Sequence, residues 1–296
     1  MRVEPVPAYP APQPDRAEPF VLRGGCADWP CARWTIDVVG ARLGDAPLAF
    51  AEDFGPIESP YLARAADFVR TGSFGEVASR IEAGERLYLA QASILHVPEL
   101  MDELPFSRLV AEPIDTCNLW FGRATKSGLH YDDRDNLFLM LRGRKRVFLA
   151  APKETRHLHP FPGLFHKSPV DPEAPRYDRY PRLRRASFRE VELGPGDVLF
   201  IPKSWWHHLS STDISMSVNG WFGPTRTLRD DWRTMVASGP RAIARTAADF
   251  INLGIRGKPY DVRLFASEPA GLTAHARLRE FLLRAREKRA PRAAKH

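Results

Sequence analysis

HYDDRDNLFLMLRGRKRVFLAAP, residues 130–152, is the stretch from which the rest of the chain is read. The run Leu137–Leu141 is apolar throughout, Arg142-Gly143 offers a tight reversal, and Val147–Ala150 is apolar again, which predicts two buried strands joined by a short turn. The first residues of the stretch carry chemistry instead. Side chains at i and i+2 of a strand share a face, so His130 and Asp132 can reach one metal ion while Tyr131 and Asp133 point away. One imidazole and one carboxylate need a third ligand. It is offered 77 residues later in GPGDVLFIPKSWWHHL (194–209), where a Gly194-Pro195-Gly196-Asp197 turn launches a strand that leads to His207 and His208.

Outward from these segments the same period continues. RLYLAQAS, CNLWFG, DVLFIP and DISMSVNGWF are short, rich in β-branched, leucine and aromatic residues, and bounded by Gly, Pro or Asp, which predicts strands from about Leu87 to Phe222. Residues 152–190 hold seven prolines and many Arg and Tyr, and read as a long irregular insertion of the kind that usually has a function. Before the strands, Leu62, Ala65, Ala66, Val69, Val77 and Ile81 recur at helical spacing and predict two short helices between Tyr61 and Gly84. Helical spacing returns in Leu228–Ile255, broken at Gly239-Pro240, and in Leu272–Arg289. Residues 1–19, with six prolines, read as an extended lead-in, so the domain is expected over 20–224 and a helical region over 225–296.

Composition excludes several classes. The 296 residues are 44% hydrophobic and 27% charged, no apolar run approaches the roughly 20 residues that cross a bilayer, and the N-terminus lacks an apolar signal core, so a cytoplasmic protein is expected. Three cysteines at irregular spacing indicate reduced thiols rather than a disulfide framework. The formal charge is +7, but eight Lys or Arg against two Glu from Arg277 onward account for nearly all of it. A near-neutral body with a basic helical tail leaves a nucleic-acid partner open without arguing for one.

Two histidines and one carboxylate on one face of a metal, with the other positions open, is the donor set of the non-haem Fe(II) oxygenases. An HxD pair alone arises by chance in many chains; the specific signal is the pair at a strand start, the glycine turn after it, and the distal histidine delivered by the Gly-Asp turn. With EPFVLRGGCADWP (18–30) and SMSVNGWF (215–222), these segments resemble the Jumonji-C hydroxylases of the cupin superfamily over roughly residues 17–224, close in pattern to an asparaginyl hydroxylase. The resemblance implies a mainly β protein with flanking helices, built on a double-stranded β-helix (cupin, jelly-roll) core with C-terminal helices, that holds Fe(II) and 2-oxoglutarate and uses O2. It assigns the metal to His130, Asp132 and His207, with His208 the competing third ligand, and the cosubstrate to Lys145, Tyr88, Ser127, Asn136 and Asn219. Independently, Ser215, Ser217, Asn219 and Trp221 alternate with apolar residues, and a polar inward face suits a ligand pocket.

The implied reaction is hydroxylation of an unactivated C–H bond, ending in dealkylation where the carbon bears nitrogen. Its substrate is expected to be a protein or peptide side chain, in a groove between the 152–190 insertion and the helices at 61–83. Histone demethylation is disfavoured, as no reader or zinc module accompanies the domain. A small-molecule or RNA hydroxylase of the same superfamily and a non-catalytic metal-binding cupin stay open. The stripe Leu278, Phe281, Leu282 stands where relatives often dimerise, so a homodimer is expected.

Overall fold

Both apolar runs flanking Arg142-Gly143 are strands, and each is covered on both faces. The computed structural model describes residues 1–12, 15–52, 64–260 and 268–289. Its six-stranded sheet runs β1 (Arg2–Pro5), β12 (Ser187–Leu193), β10 (Lys145–Ala150), β14 (Trp206–Ser210), β8 (Leu129–His130), β11 (Lys167–Ser168). The nine-stranded sheet runs β2 (Ala8–Tyr9), β3 (Phe20–Leu22), β13 (Val198–Ile201), β9 (Asp135–Arg142), β15 (Ile214–Phe222), β7 (Ile114–Arg123), β6 (Leu87–Ser93), β4 (Leu48–Glu52), β5 (Val69–Gly72). Face to face, the two sheets enclose a shared core, the arrangement expected of a double-stranded β-helix.

The continuous apolar runs follow from this layering. On β9, Phe138 and Met140 point between the sheets and pack with Val147 and Leu149 of β10, Leu199 of β13 and Leu193 of β12. Leu137, Leu139 and Leu141 point outward, into a second core shared with α1 (Ile36–Leu43) and α3 (Phe74–Glu82). The outer face of the six-stranded sheet is covered by the insertion, where Leu158, Phe165, Val170 and Leu183 pack on Phe148 and Trp206. A strand buried on both faces has no reason to alternate.

The two turns form as expected. Gly143 has φ +75°, and a Cβ there would lie 2.2 Å from the Ile214 carbonyl oxygen, so no other residue fits without displacing β15. In the 194–197 turn the Asp197 carboxylate accepts from the Gly194 N–H at 3.0 Å and from Gly24 at 3.1 Å, which ties the turn to the chain after β3.

The structure differs from the expectation in three places. Val69 lies in β5, so the first expected helix is only the turn α2 (Ala65–Phe68); Leu62 lies outside the described residues. The lead-in joins both sheets: β1 pairs in parallel with β12, β2 with β3, and Val6 is 6% exposed. Third, α3 packs Phe74, Val77 and Ile81 on the outside of the nine-stranded sheet, away from the groove it was expected to border. A short helix α4 (Pro98–Met101) precedes β7, and α5 (Leu228–Ser238), α6 (Pro240–Asp249) and α7 (Ala270–Arg289) follow the last strand. No described helix is long and apolar enough to cross a membrane. Cys26, Cys31 and Cys117 are buried free thiols, each pushed up to about 12 by burial. The last residues of the basic tail, 290–296, lie outside the described residues.

Candidate active site

Strand alternation decides which side chains enter the space between the sheets. Leu129 and Tyr131 belong to the outer core, so His130 and Asp132 turn inward; on β14, Trp206 packs outward and His207 inward. β8 and β14 pair in the register His130–His207, which sets the two imidazoles side by side. His130 Nε2 is 3.8 Å from Asp132 Oδ1, His207 Nε2 is 3.5 Å from Asp132 Oδ2, and the donor atoms of the three residues lie within 4.8 Å of one another. The far nitrogens are committed: His130 Nδ1 donates to the Gly128 carbonyl at 2.8 Å and His207 Nδ1 to the Trp205 carbonyl at 2.9 Å. That leaves both Nε2 lone pairs facing Asp132, the orientation that metal-binding histidines need.

Electrostatics favour the ligand forms of His130 and Asp132. Burial, aided by Lys167 and His207, pushes the His130 imidazolium well below its ordinary range. Burial pushes Asp132 up, but the His207 and His130 imidazoles and Lys167 more than reverse it and leave the carboxyl below the usual carboxylate range. Trp221 Nε1 donates to Asp132 Oδ2 at 3.1 Å and fixes the carboxylate plane. His208 is turned to the opposite face of β14, so it does not compete for this site.

Of the residues matched to the cosubstrate, Lys145 is the most telling. It enters the interior from β10, 2% exposed, hydrogen-bonded to Ser217 Oγ at 3.0 Å, with the rings of Phe138 and Tyr88 at 5.2 and 5.9 Å. It forms no ion pair with a described carboxylate, and burial pushes its ammonium down to about 7. A buried ammonium without a counter-ion is costly unless an anion arrives. Tyr88 lines the cleft beside Trp120, and Ser127 lines it too while its Oγ accepts from the Leu209 N–H at 2.9 Å. Asn136 and Asn219 are buried deeper: Asn219 Nδ2 donates to Asn136 Oδ1 at 3.2 Å, and Asn219 Oδ1 accepts from Trp120 Nε1 at 2.6 Å. The two asparagines hold one another and Trp120, and neither lines the open cleft.

The cleft has a volume of about 790 Å³. His130 and Asp132 line its floor, one wall is the insertion through Phe165, His166 and Lys167, and the other is α5 to α7 through Trp232, Thr246 and Ala274. The C-terminal helices therefore take the place expected for the helices at 61–83. Arg226, 6% exposed, joins them to the site: it donates to Ser204 Oγ, to Thr234 Oγ1 at 2.7 Å and to Asp231 Oδ1 at 3.1 Å, with its guanidinium 4.6 Å from the Tyr131 ring centroid. Ser204 adopts φ +70° and donates its N–H to the Asp132 carbonyl at 2.9 Å, so the turn that delivers His207 is strapped to the strand that delivers Asp132.

Sequence reasoning missed Trp120, Lys167 and Arg226. Trp120 had a signal, since Asn118 and Trp120 alternate with Leu119 and Phe121 as polar residues do on β15. Lys167, opposite His130 in the β8–β11 ladder, sits in a strand of only two residues, and Arg226 in irregular chain, so neither has a period to read.

The sequence pattern of the cupin-like domain family matches residues 14–227, ending where α5 begins. The chain is 33% identical over 218 residues to lysine-specific demethylase 8 of Xenopus tropicalis, covering 69% of this chain and 48% of that protein. It is 32% identical over 225 residues to lysine-specific demethylase 8 of Danio rerio, covering 70% and 54%. To the Jumonji C domain-containing protein 5 of Drosophila melanogaster it is 29% identical over 233 residues, covering 70% and 55%. The chain thus spans about half the length of these relatives.

Proposed function

Because the chain belongs to the cupin-like JmjC family of Fe(II)- and 2-oxoglutarate-dependent proteins, we propose that it is an oxygenase that hydroxylates an unactivated C–H bond of a protein or peptide side chain. The observation that carries this reading is the convergence of His130, Asp132 and His207 between the sheets, together with a buried Lys145 on β10 that has no carboxylate partner among the described residues. The donor set suits a ferrous ion: two imidazoles with their outer nitrogens anchored, one carboxylate, and an open side toward the cleft. When bound, such an ion supplies the activation of O2 that no side chain can provide.

The chain's own residues supply position and exclusion. Lys145 pairs with the far carboxylate of 2-oxoglutarate, which settles its own charge, while Tyr88 and Ser127 border that carboxylate's path. Asn136, Asn219 and Trp120 hold the floor rigid through their mutual hydrogen bonds. Trp221 steadies Asp132, and the insertion and C-terminal helices cover the reacting carbon from water. No general base is required. The relatives named as lysine-specific demethylases support a protein substrate and bring N-dealkylation within the same chemistry, since hydroxylation of a carbon on nitrogen ends in its loss. A homodimer is supported by the outward exposure of Leu278 (44%) and Leu282 (51%) on α7.

The test is succinate release from 2-oxoglutarate by the Fe(II)-loaded protein, followed by mass spectrometry for a +16 Da or demethylated product among peptides, RNA and metabolites. Equal succinate release by the wild type, His130→Ala and Asp132→Ala would end the enzymatic reading.

A further inference from the structure

Back to back with the inward-facing triad, β14 turns His208 to the outer face of the six-stranded sheet. The imidazole is 0% exposed, and neither ring nitrogen makes a hydrogen bond. Its Nε2 lies 3.5 Å from Glu173 Oε2, and the donor atoms of Asp171, Glu173 and His208 all lie within 4.8 Å of one another. With metal–ligand bonds of roughly 2.0–2.2 Å, a nitrogen and an oxygen on one tetrahedral ion stand about 3.4 Å apart. Lys126 Nζ lies 2.8 Å from Asp171 Oδ2 and 2.8 Å from Glu173 Oε2, so a cation already bridges the two carboxylates. Ser210 Oγ donates to Glu173 Oε1 at 2.6 Å, the Glu173 N–H to Asp171 Oδ1 at 2.9 Å, and Arg146 is 3.9 Å from Glu173.

We propose that Asp171, Glu173 and His208 form a second metal site, suited to a zinc-like divalent ion that displaces the Lys126 ammonium from the two carboxylates. Lys126 is a point charge on a flexible stem and its side chain is 31% exposed, so it has a path to water. Exchange of one charge for two balances both carboxylates and engages the imidazole that Lys126, a donor only, leaves without a bond. The imidazole selects against magnesium and calcium, which take oxygen ligands. The site joins the insertion to β14, and the insertion carries Lys167, the ladder partner of His130. An ion there fastens the cleft wall to the strand that holds His207.

The test is titration of metal-stripped full chain with Zn²⁺ and Co²⁺, read by calorimetry and by cobalt visible absorption. The wild type binds two equivalents, and both His130→Ala and the double variant Asp171→Asn/Glu173→Gln bind one. The cobalt retained by His130→Ala has the intense bands of a tetrahedral site, and Lys126→Met binds the second equivalent at least tenfold more tightly than the wild type. A single equivalent in both wild type and Lys126→Met, or a second one that survives Asp171→Asn/Glu173→Gln, overturns the proposal while leaving the triad intact. Failure of the triad reading is a different result: His130→Ala then binds as much metal as the wild type.

Discussion

His130 and His207 occupy one rung of the β8–β14 ladder, with ring centroids 4.2 Å apart. Residues 77 positions apart in the chain become cross-strand neighbours, and their spacing is set by the sheet rather than by mobile loops. A ladder-set pair predicts that single losses are severe. His130→Ala, His207→Ala and Asp132→Ala should each bring succinate formation to background in protein that still melts cooperatively. Residual activity within tenfold of the wild type in any of the three would contradict the assignment.

Lys145 links stability, cosubstrate and pH. Its ammonium is pushed down to about 7 by burial, against about 10.4 in an unfolded chain. Between those values the unfolded state holds more protons, so Lys145's contribution makes stability without cosubstrate rise from about pH 7 to 10 and leaves it flat below. Lys145→Met should remove that slope and stabilise the free protein at pH 7 by about 4 kcal/mol, measured by thermal unfolding across pH. Binding of 2-oxoglutarate needs the ammonium, so affinity should fall as pH rises above 7. Lys145→Met should raise the KM for 2-oxoglutarate at least tenfold, and an unchanged KM would sink the pairing.

Trp221 donates to Asp132 at 3.1 Å from the neighbouring sheet. Trp221→Phe keeps the ring and removes the N–H, so the expected effect is a loss of metal affinity of about tenfold with little change in melting temperature. Competition with a metallochromic chelator measures it. Equal affinities would show that the contact does not orient the carboxylate.

Arg226 joins Ser204, Thr234 and Asp231 in the interior. Arg226→Met removes these three hydrogen bonds, although Asp231 keeps Arg277 and Thr234 keeps the Asp230 carbonyl, and should cost about 3 kcal/mol, with a fall in kcat because the Ser204 turn loosens. Arg226→Lys should rescue little, since an ammonium cannot reproduce the planar fork. Denaturant unfolding with parallel turnover assays checks both.

Leu278 and Leu282 are spaced four apart on α7, so they share a helix face, and both are exposed. If that face pairs two copies, Leu278→Glu with Leu282→Lys should convert a dimer to a monomer in sedimentation analysis. A wild type that sediments as a monomer at micromolar concentration rules the pairing out.

Legibility in the chain followed periodicity. HxD at a strand start, the glycine turns, the apolar runs of β9 and β10 and the polar face of β15 are local patterns of period two, so alternation alone assigned their faces. Lys145 was singled out by the resemblance, since on its own it reads as part of the basic stretch Arg142, Arg144, Lys145 and Arg146 that leads into β10. Val69 was misread because i, i+3 and i+4 spacing in a short window fits a helix as well as a strand. The lead-in was underrated because its prolines hide two short edge strands, one of which, β1, pairs with β12, far along the chain (Arg2 opposite Ser187).

Local patterns in the sequence assigned the strands, their faces and the turns, because strand alternation and turn chemistry are local rules; the cupin-like core and the roles of His130, Asp132 and Lys145 were implied by the resemblance of the whole pattern to the Jumonji-C hydroxylases. Which wall closes the cleft, that Arg226 straps the two ligand-bearing segments together, and that His207 faces the triad while His208 faces Asp171 and Glu173 were decided only by the tertiary structure. These depend on how irregular segments pack across sheets, and packing between distant segments leaves no period in the chain.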